Sequence, residues 1–476
     1  MGIEFRGARG AHVRARDGEA LVDGLPPELR GPRRGRQAEE RLMLTSDLIE
    51  ANPGEQGVSE QLSTITVGQS RLEGEVFVSG AKNSVLRLMA ATLLTGQRVV
   101  IRNYPAGLLD AIVHAGMLDE IGKSCRVEGS TLVVEEARPL SSRLDWRGRS
   151  IRNTLLVLGA LTARTGAGAV PLPGGCDLGD RKYDLHELVL RSLGAEVWTE
   201  GGMLCAQAPS GGLTGAHIHL PIRSTGATEN ALLCGSLAKG ETVVWNPHVR
   251  PEVLDLVKLL RTMGAEIDVF GQESIRVKGA PELGGAQHTT ISDNMEALTW
   301  LIGATVTGGD VTIHNFPLAD LEVPLIFLRG SGAKFYLGND SVIVRGGCAY
   351  PVEISTGPFP GINSDMQPLF AVYGACARGK STIVDLRFPD RYGYREEFAK
   401  IGVSSRVANG ALLVEGGAAL EGARVRALDL RCGIALTLLG LVARGETVVE
   451  DAWQVERGYN DIVGKLRTLG AKVSAS

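Results

Sequence analysis

From about residue 63 onwards, apolar and polar positions recur with a period of roughly 70 residues. One landmark is a helix end followed by Gly-Ala or a relative of it. It is seen in Leu193-Gly194-Ala195-Glu196-Val197, Met263-Gly264-Ala265-Glu266-Ile267 and Leu469-Gly470-Ala471-Lys472-Val473. The six glycines of this set are Gly122, Gly194, Gly264, Gly332, Gly402 and Gly470, with spacings of 72, 70, 68, 70 and 68. A second set, Gly96, Gly166, Gly240, Gly308, Gly379 and Gly445, each follows an apolar helix and precedes a strand.

Each unit reads the same way. An apolar helix such as 84–94 ends at a glycine cap. A β-branched strand follows, such as 99–101 or 242–245. A loop, often with Asn and Pro (Asn103 and Pro105, Asn246 and Pro247, Asn315 and Pro317), leads to an amphipathic helix such as 253–262. The Gly-Ala turn then opens a hairpin, as in 196–199 with 203–208. The first helix of each unit is apolar nearly all round, which predicts burial with sheets outside. The fold class is α/β. Six units divide better into two domains of three than into one core, given the limits on core size. The break is expected near residues 285–292, and the default ligand site is a cleft between the halves.

Polar residues stand at equivalent positions at the buried helix starts: Lys82-Asn83, Arg152-Asn153, Thr228-Glu229, Asp293 with Glu296, Asp365 and Arg431. Helix N-termini present free N–H groups and a positive dipole end. Lys82, Arg152 and Arg431 there make an anion site suited to phosphate or carboxylate. For Asp293 and Asp365 two readings stand side by side, a helix N-cap and a functional acid. The loop Pro173-Gly174-Gly175-Cys176-Asp177-Leu178-Gly179-Asp180-Arg181 carries one thiol and one cation in a polar setting. The other six cysteines lie in apolar segments, where Cys is usually a small buried hydrophobe. Later loops carry Arg391 and Arg457-Gly458-Tyr459. Several cations, one or two acids and a thiol suggest chemistry on a small, multiply charged anion. There is no Walker loop and no GxGxxG motif.

Composition narrows the picture. Net charge is −4, which argues against a nucleic-acid binder with a basic surface. No apolar run approaches the roughly 20 residues of a membrane span. The histidines form no metal-ligand pattern, and His217 and His219 on one strand face read as surface positions. Seven cysteines without a CxxC pair suit a reducing cytoplasm. Residues 1–60, rich in arginine and poor in apolar periodicity, read as a disordered tail, or as sequence ahead of a true start at Met43.

These residues resemble the enolpyruvyl transferase family, which includes UDP-N-acetylglucosamine enolpyruvyl transferase and EPSP synthase. The resemblance spans about residues 63–476. It rests on Gly80-Ala81-Lys82-Asn83, Pro173-Gly174-Gly175-Cys176, Arg181 with Asp184-Leu185-His186, Gly226-Ala227-Thr228, Ser364-Asp365-Met366-Gln367, Asp429-Leu430-Arg431 and Arg457-Gly458-Tyr459. It implies a two-domain inside-out α/β barrel of six βαβαββ units, three per domain, with buried helices and an inter-domain cleft. The chain would start in the second domain, cross to the first and return, so the domains would be 81–291, and 61–80 plus 292–476. It implies transfer of the enolpyruvyl group of phosphoenolpyruvate to a secondary hydroxyl of a uridine nucleotide, with no metal and no other cofactor. Lys82, Arg152 and Arg181 would hold the phosphate, and Arg431 and Arg457 the carboxylate, with Arg391 nearby. Cys176 would be the general acid, and Asp365 would take the acceptor's proton. Asn83, Asp184, Ser224, Gly226, Asp293 and Glu296 would complete the substrate site.

The departures from the family pattern are local. Asn294 stands where the family usually has Arg, Lys182-Tyr183 follow the loop arginine where Pro is usual, and the loop reads Cys-Asp-Leu-Gly. Ile222 and Arg223 precede Ser224-Thr225, and Arg387 precedes Phe388. Positions for phosphoenolpyruvate are kept and positions for the acceptor are altered, so a changed acceptor is expected. The favoured expectation is the 3′-hydroxyl of UMP, as in the specialised enzymes of nikkomycin and polyoxin biosynthesis. The alternatives are UDP-N-acetylglucosamine and a catalytically inactive ligand-binding relative.

Overall fold

The computed structural model describes residues 62–172 and 182–476. The arginine-rich segment and the Cys176 loop, with Cys176 and Arg181, lie outside the described residues. Six helices are buried over most of their length: Lys82–Ala91, Thr154–Thr165, Thr225–Gly235, Asn294–Val306, Gln367–Cys376 and Leu430–Val442. They stand one per repeat, as the apolar pattern requires. The described residues form six sheets around them. Five of the sheets combine an antiparallel hairpin with a strand that leaves a buried helix, and in the sixth Thr64–Gly68 and Val473–Ala475, far apart in sequence, pair antiparallel in the hairpin's place. In the third unit, for example, Glu266–Phe270 and Ser274–Lys278 form the hairpin, and Glu241–Trp245 pairs with it. The short strand before the same helix, His217–His219, pairs in parallel with Glu241–Trp245. Helix and two parallel strands thus make a βαβ crossover in the third, fifth and sixth units, which buries an all-apolar helix under its own sheet; in the second a single parallel bridge, Arg143 to Ala169, takes the place of the parallel strand.

In two units the parallel strand is exchanged. Glu73–Phe77 precedes the first buried helix, yet pairs with Asp310–His314 of the fourth unit. Ala286–Thr289 precedes the fourth buried helix, yet pairs with Val99–Arg102 of the first. The chain therefore crosses twice, and the crossings lie against each other. Gly80 bridges Ser292, Ala81 N–H donates to Ile291 O at 2.7 Å, and Asp293 N–H donates to Ser79 O at 2.9 Å. Gly80 is required there: a Cβ would lie 1.9 Å from Asn103 O.

Two separate apolar cores result. One draws on Ile65, Val67, Leu72, Val76 and Val78 together with residues from Met295 to Ala471. The other draws on residues from Val85 to Ala286. The cores meet through polar contacts. Gly107 N–H donates to Asn460 Oδ1 at 2.8 Å, and the Arg149 guanidinium lies 3.8 Å from the Trp453 ring centroid.

The landmark glycines carry the turns. All six of the Gly-Ala set have positive φ, from 77° to 130°. In the second set Gly96 is the exception. The first buried helix tightens into a 3₁₀ turn at Thr92–Leu94 and leaves through an extended Thr95, so no left-handed cap is needed there. The loop asparagines Asn103, Asn246 and Asn315 are left-handed, with φ of 52°, 57° and 56°, and Asp451 does the same in the sixth unit. The amphipathic helix expected over 253–262 runs Pro251–Thr262, because Pro251 suits the first helical position. Among the described residues no helix is long and apolar enough to cross a membrane.

Close helix packing gives a test of this core. A Cβ on Gly159 would lie 1.9 Å from Asn230 Oδ1 and 3.0 Å from Cys234 Sγ on the neighbouring buried helix. Gly159→Ala is expected to lower unfolding free energy by about 1–3 kcal/mol, measured by urea titration. Unchanged stability would show that the two helices separate without cost.

Candidate active site

Where the cores face each other, five of the expected residues converge. Lys82 enters from the first turn of its buried helix. Its Nζ lies 3.0 Å from Asp110 Oδ2, and Asp110 is only 2% exposed. Arg457, from the other half, meets the same acid: its Nε is 3.0 Å from Asp110 Oδ1. Gln454 Oε1 accepts from Arg457 Nη1 at 3.1 Å. Asp110 therefore holds one cation from each half.

A second acid, Asp365, sits between two more cations. Arg391 Nη1 donates to its Oδ1 at 2.7 Å, and Arg431 Nη2 approaches its Oδ2 at 3.3 Å. Both guanidinium groups are nearly buried and their pKa values are raised. Burial is the largest single influence and works against the charge in each, but Asp365 together with Asp429 at Arg391, and with Tyr459 and Asp293 at Arg431, outweighs it. Asp365 belongs to a short 3₁₀ turn, Ser364–Met366, that leads into the fifth buried helix. The Asn363 side chain caps that turn by accepting Asp365 N–H at 2.9 Å. Asp365 is thus not itself the cap, and its carboxylate is directed at the arginines.

The two clusters act on each other. Burial lowers the Lys82 pKa, Asp110 pushes it back up, and Arg457 and Arg431 push it down again. Burial alone would raise Asp110, but the charges of Lys82 and Arg457 hold it below the ordinary carboxylate range. The result is a half-buried row of cations offset by two acids, which suits an anion carrying both phosphate and carboxylate.

Other expected residues sit differently. Asp293 is an N-cap in fact: Oδ1 accepts from Met295 N–H and Glu296 N–H, and Oδ2 accepts from Lys82 N–H at 2.9 Å. It joins the starts of the first and fourth buried helices at the crossing. Glu296 is committed to the same joint, accepting from Ser79 N–H, Trp300 Nε1 and Lys465 Nζ. Arg152 donates to Lys182 O at 2.8 Å, beside the undescribed loop. Asp184 is exposed at the start of helix Asp184–Ser192, and Asn83 is half-buried beside Lys82. Ser224 caps the third buried helix by accepting Ala227 N–H. Gly226 is needed for close approach, since a Cβ would lie 2.8 Å from His186 Nε2.

Three groups at this site escaped the sequence reading. Asp110 had a visible signal: it is an acid on the apolar face of helix Leu109–Ile121, in step with Val113, Met117 and Leu118. Arg250 stands at the start of helix Pro251–Thr262, paired with Glu252 at 2.6 Å, and feels the charge of Asp365 across the joint. His248 contacts the other half directly. Among the described residues no group of three or more metal-ligating side chains gathers.

Comparison with known proteins returns a consistent set of relatives. The family model described as EPSP synthase (3-phosphoshikimate 1-carboxyvinyltransferase) matches residues 66–466. UDP-N-acetylglucosamine 1-carboxyvinyltransferase of Zymomonas mobilis is 38% identical, covering 85% of this chain and 97% of that protein. The corresponding enzyme 1 of Carboxydothermus hydrogenoformans is also 38% identical, over 86% of this chain and 96% of its own length. Among solved structures, the enolpyruvyl transferase NikO from Streptomyces tendae superposes with a TM-score of 0.78 at 26% identity, over 87% of this chain and 99% of that one. EPSP synthase from Acinetobacter baumannii, at 18% identity and a TM-score of 0.68, shares the fold.

Asp110 gives a pH-dependent test. Its charge keeps Lys82 protonated against burial, so Asp110→Asn should let Lys82 lose its proton at lower pH. The alkaline limb of the pH–rate profile is expected to move to lower pH. Turnover near neutral pH should fall by at least about tenfold as Lys82 and Arg457 lose their shared partner. A profile that keeps its alkaline limb would remove Asp110 from this role.

Proposed function

The chain belongs to the EPSP synthase (3-phosphoshikimate 1-carboxyvinyltransferase) family of enolpyruvyl transferases, and from that premise we propose that it transfers the enolpyruvyl group of phosphoenolpyruvate to a secondary hydroxyl of a uridine nucleotide, releasing phosphate. The observation that carries this reading is the cation row of Lys82 and Arg457 around Asp110 and of Arg431 and Arg391 around Asp365. Phosphoenolpyruvate is a small anion with a phosphate and a carboxylate, and it would replace the two acids as partner of these cations. Arg152 and Arg181 would add to the phosphate side.

The proton steps follow. The Cys176 thiol protonates the methylene carbon, which makes the adjacent carbon electrophilic. The acceptor oxygen adds to that carbon while Asp365 takes its proton, giving a tetrahedral ketal. Return of the methyl proton to the Cys176 thiolate re-forms the double bond. The C–O bond to phosphate breaks with its electron pair, and phosphate leaves. Arginines on both sides stabilise the charge that develops. The residues involved need no metal and no organic cofactor for this sequence.

For the acceptor, UDP-N-acetylglucosamine is the better supported choice. The relatives named for it match at 36–38% identity along nearly their whole length. UMP is the second reading. It is favoured by Arg250, a cation facing Asp365 from the opposite half, which suits an acceptor with a phosphate close to its reacting hydroxyl. We also infer domain limits of 81–291, and 61–80 with 292–476. The two separate cores support them.

Incubation with phosphoenolpyruvate and each acceptor, with phosphate release as readout, decides between them. Release with UDP-N-acetylglucosamine and not with UMP is expected; the reverse selects UMP. No release with any acceptor would leave the inactive-relative reading. Asp365→Asn should lower turnover by roughly 10²–10⁴-fold while the protein remains folded. An active Asp365→Asn enzyme would take the proton-acceptor role away from Asp365.

A further inference from the structure

His248 makes one of the contacts between the two halves, and no expected role accounts for it. On its own side it is fastened to the start of the third buried helix. Its N–H donates to Thr228 Oγ1 at 3.0 Å, and its Nδ1 lies 2.9 Å from Thr225 Oγ1. Thr225 stands between Ser224 and Gly226, which the family resemblance places in the substrate site. On the other side, His248 Nε2 accepts the backbone N–H of Phe359 at 3.2 Å. With Nε2 accepting, the ring proton sits on Nδ1 and is donated to Thr225.

Phe359 lies in the segment that leads to Asp365, and that segment is pinched shut at its base. Gly357 N–H donates to Ile362 O at 2.8 Å. Thr356 Oγ1 and Ser364 Oγ both donate to the Asp385 carboxylate, at 2.9 Å and 2.5 Å. Asn363 holds Asp365 N–H. A loop tied this way moves as a body, so the position of Phe359 sets the position of Asp365.

We propose that His248 is a positioning residue that latches the acceptor loop of one half to the Asp365 loop of the other, so that acceptor binding and placement of the proton acceptor occur together. The inference rests on the enolpyruvyl transfer proposed above. The latch needs a neutral ring, because a proton on Nε2 would face the Phe359 N–H. The surroundings keep it neutral. Burial is the largest cause, Arg250, Arg223 and Arg387 add to it, and Glu252 opposes it, leaving the His248 pKa at about 4. This depressed value gives the sign. The latch is intact above about pH 6.5 and is lost as pH falls towards 4. Asp320, in the same joint and raised to about 6 by burial and Glu252, changes closure in the opposite sense. It is common to all His248 variants, so comparison between them removes it.

Three substitutions separate the latch from local packing. Gln places an acceptor near Nε2, Asn places an amide near Nδ1 that can donate to Thr225, and Ala removes both. His248→Ala and His248→Asn are expected to lower kcat/KM for the acceptor by roughly five- to tenfold. His248→Gln should stay within about twofold of wild type. Between pH 7.5 and pH 5.5 the unmodified enzyme should lose a larger share of its kcat/KM than His248→Gln does, by no more than the roughly five- to tenfold cost of His248→Ala. If His248→Asn behaves as wild type while His248→Gln behaves as His248→Ala, only the Thr225 contact matters and the proposal falls. Equal activity of all three also overturns it. Failure of the functional reading looks different: wild type itself then releases no phosphate. In that case small-angle scattering of the ligand-free proteins reads the latch. His248→Ala should be more expanded than His248→Gln, and equal radii would overturn the proposal.

Discussion

Four cations cannot be gathered into a half-buried joint unless something offsets them. Asp110 and Asp365 do this, and the rest of the site depends on it. Each takes two cations, and each pairing involves both a desolvation cost and a Coulombic gain. Asp110 also links the two halves, since Lys82 and Arg457 come from different cores. A substrate anion that brings its own phosphate and carboxylate meets groups already placed and already partnered. Binding then exchanges one set of ion pairs for another, so the cations need no reorganisation when the anion arrives.

The backbone supplies the second constraint. Two strands are exchanged between the halves, and the crossings at Gly80 and Ser292 lie side by side. Asp293 and Glu296 are spent on this joint: they cap the helix start, hold Lys82 N–H and Ser79 N–H, and engage Lys465. Lys82 follows the crossing directly, so the joint that the halves share also aims the phosphate-side cation. Acids at a helix start that look like ligand contacts in the sequence are here the fasteners that position one.

Much of the fold was legible because it repeats. A glycine that must be left-handed six times at one spacing marks a turn whatever surrounds it, and apolar helices without a polar face must be buried. The cap at Gly96 failed because a 3₁₀ turn solves the same ending with an extended Thr95. At the site, Lys82, Asp365, Arg391, Arg431 and Arg457 could be named, since cations and acids at helix starts and loops have few bland explanations together. Asp110 was visible as an acid on an apolar helix face but had no partner in the sequence. Lys82 lies 28 positions before it and Arg457 lies 347 after it. His248 and Arg250 carried no signal at all, because their meaning lies in what faces them from the other half.

The sequence by itself determined the unit, the number of units and which helix of each is buried. Those properties follow from local periodicity and from the steric freedom of glycine, which act over a few residues. Only the tertiary structure decided which strand joins which sheet, which acid offsets which cation, and which histidine touches the opposite half. Those are long-range pairings whose energy depends on distance and burial, and neither is written in the order of residues along the chain.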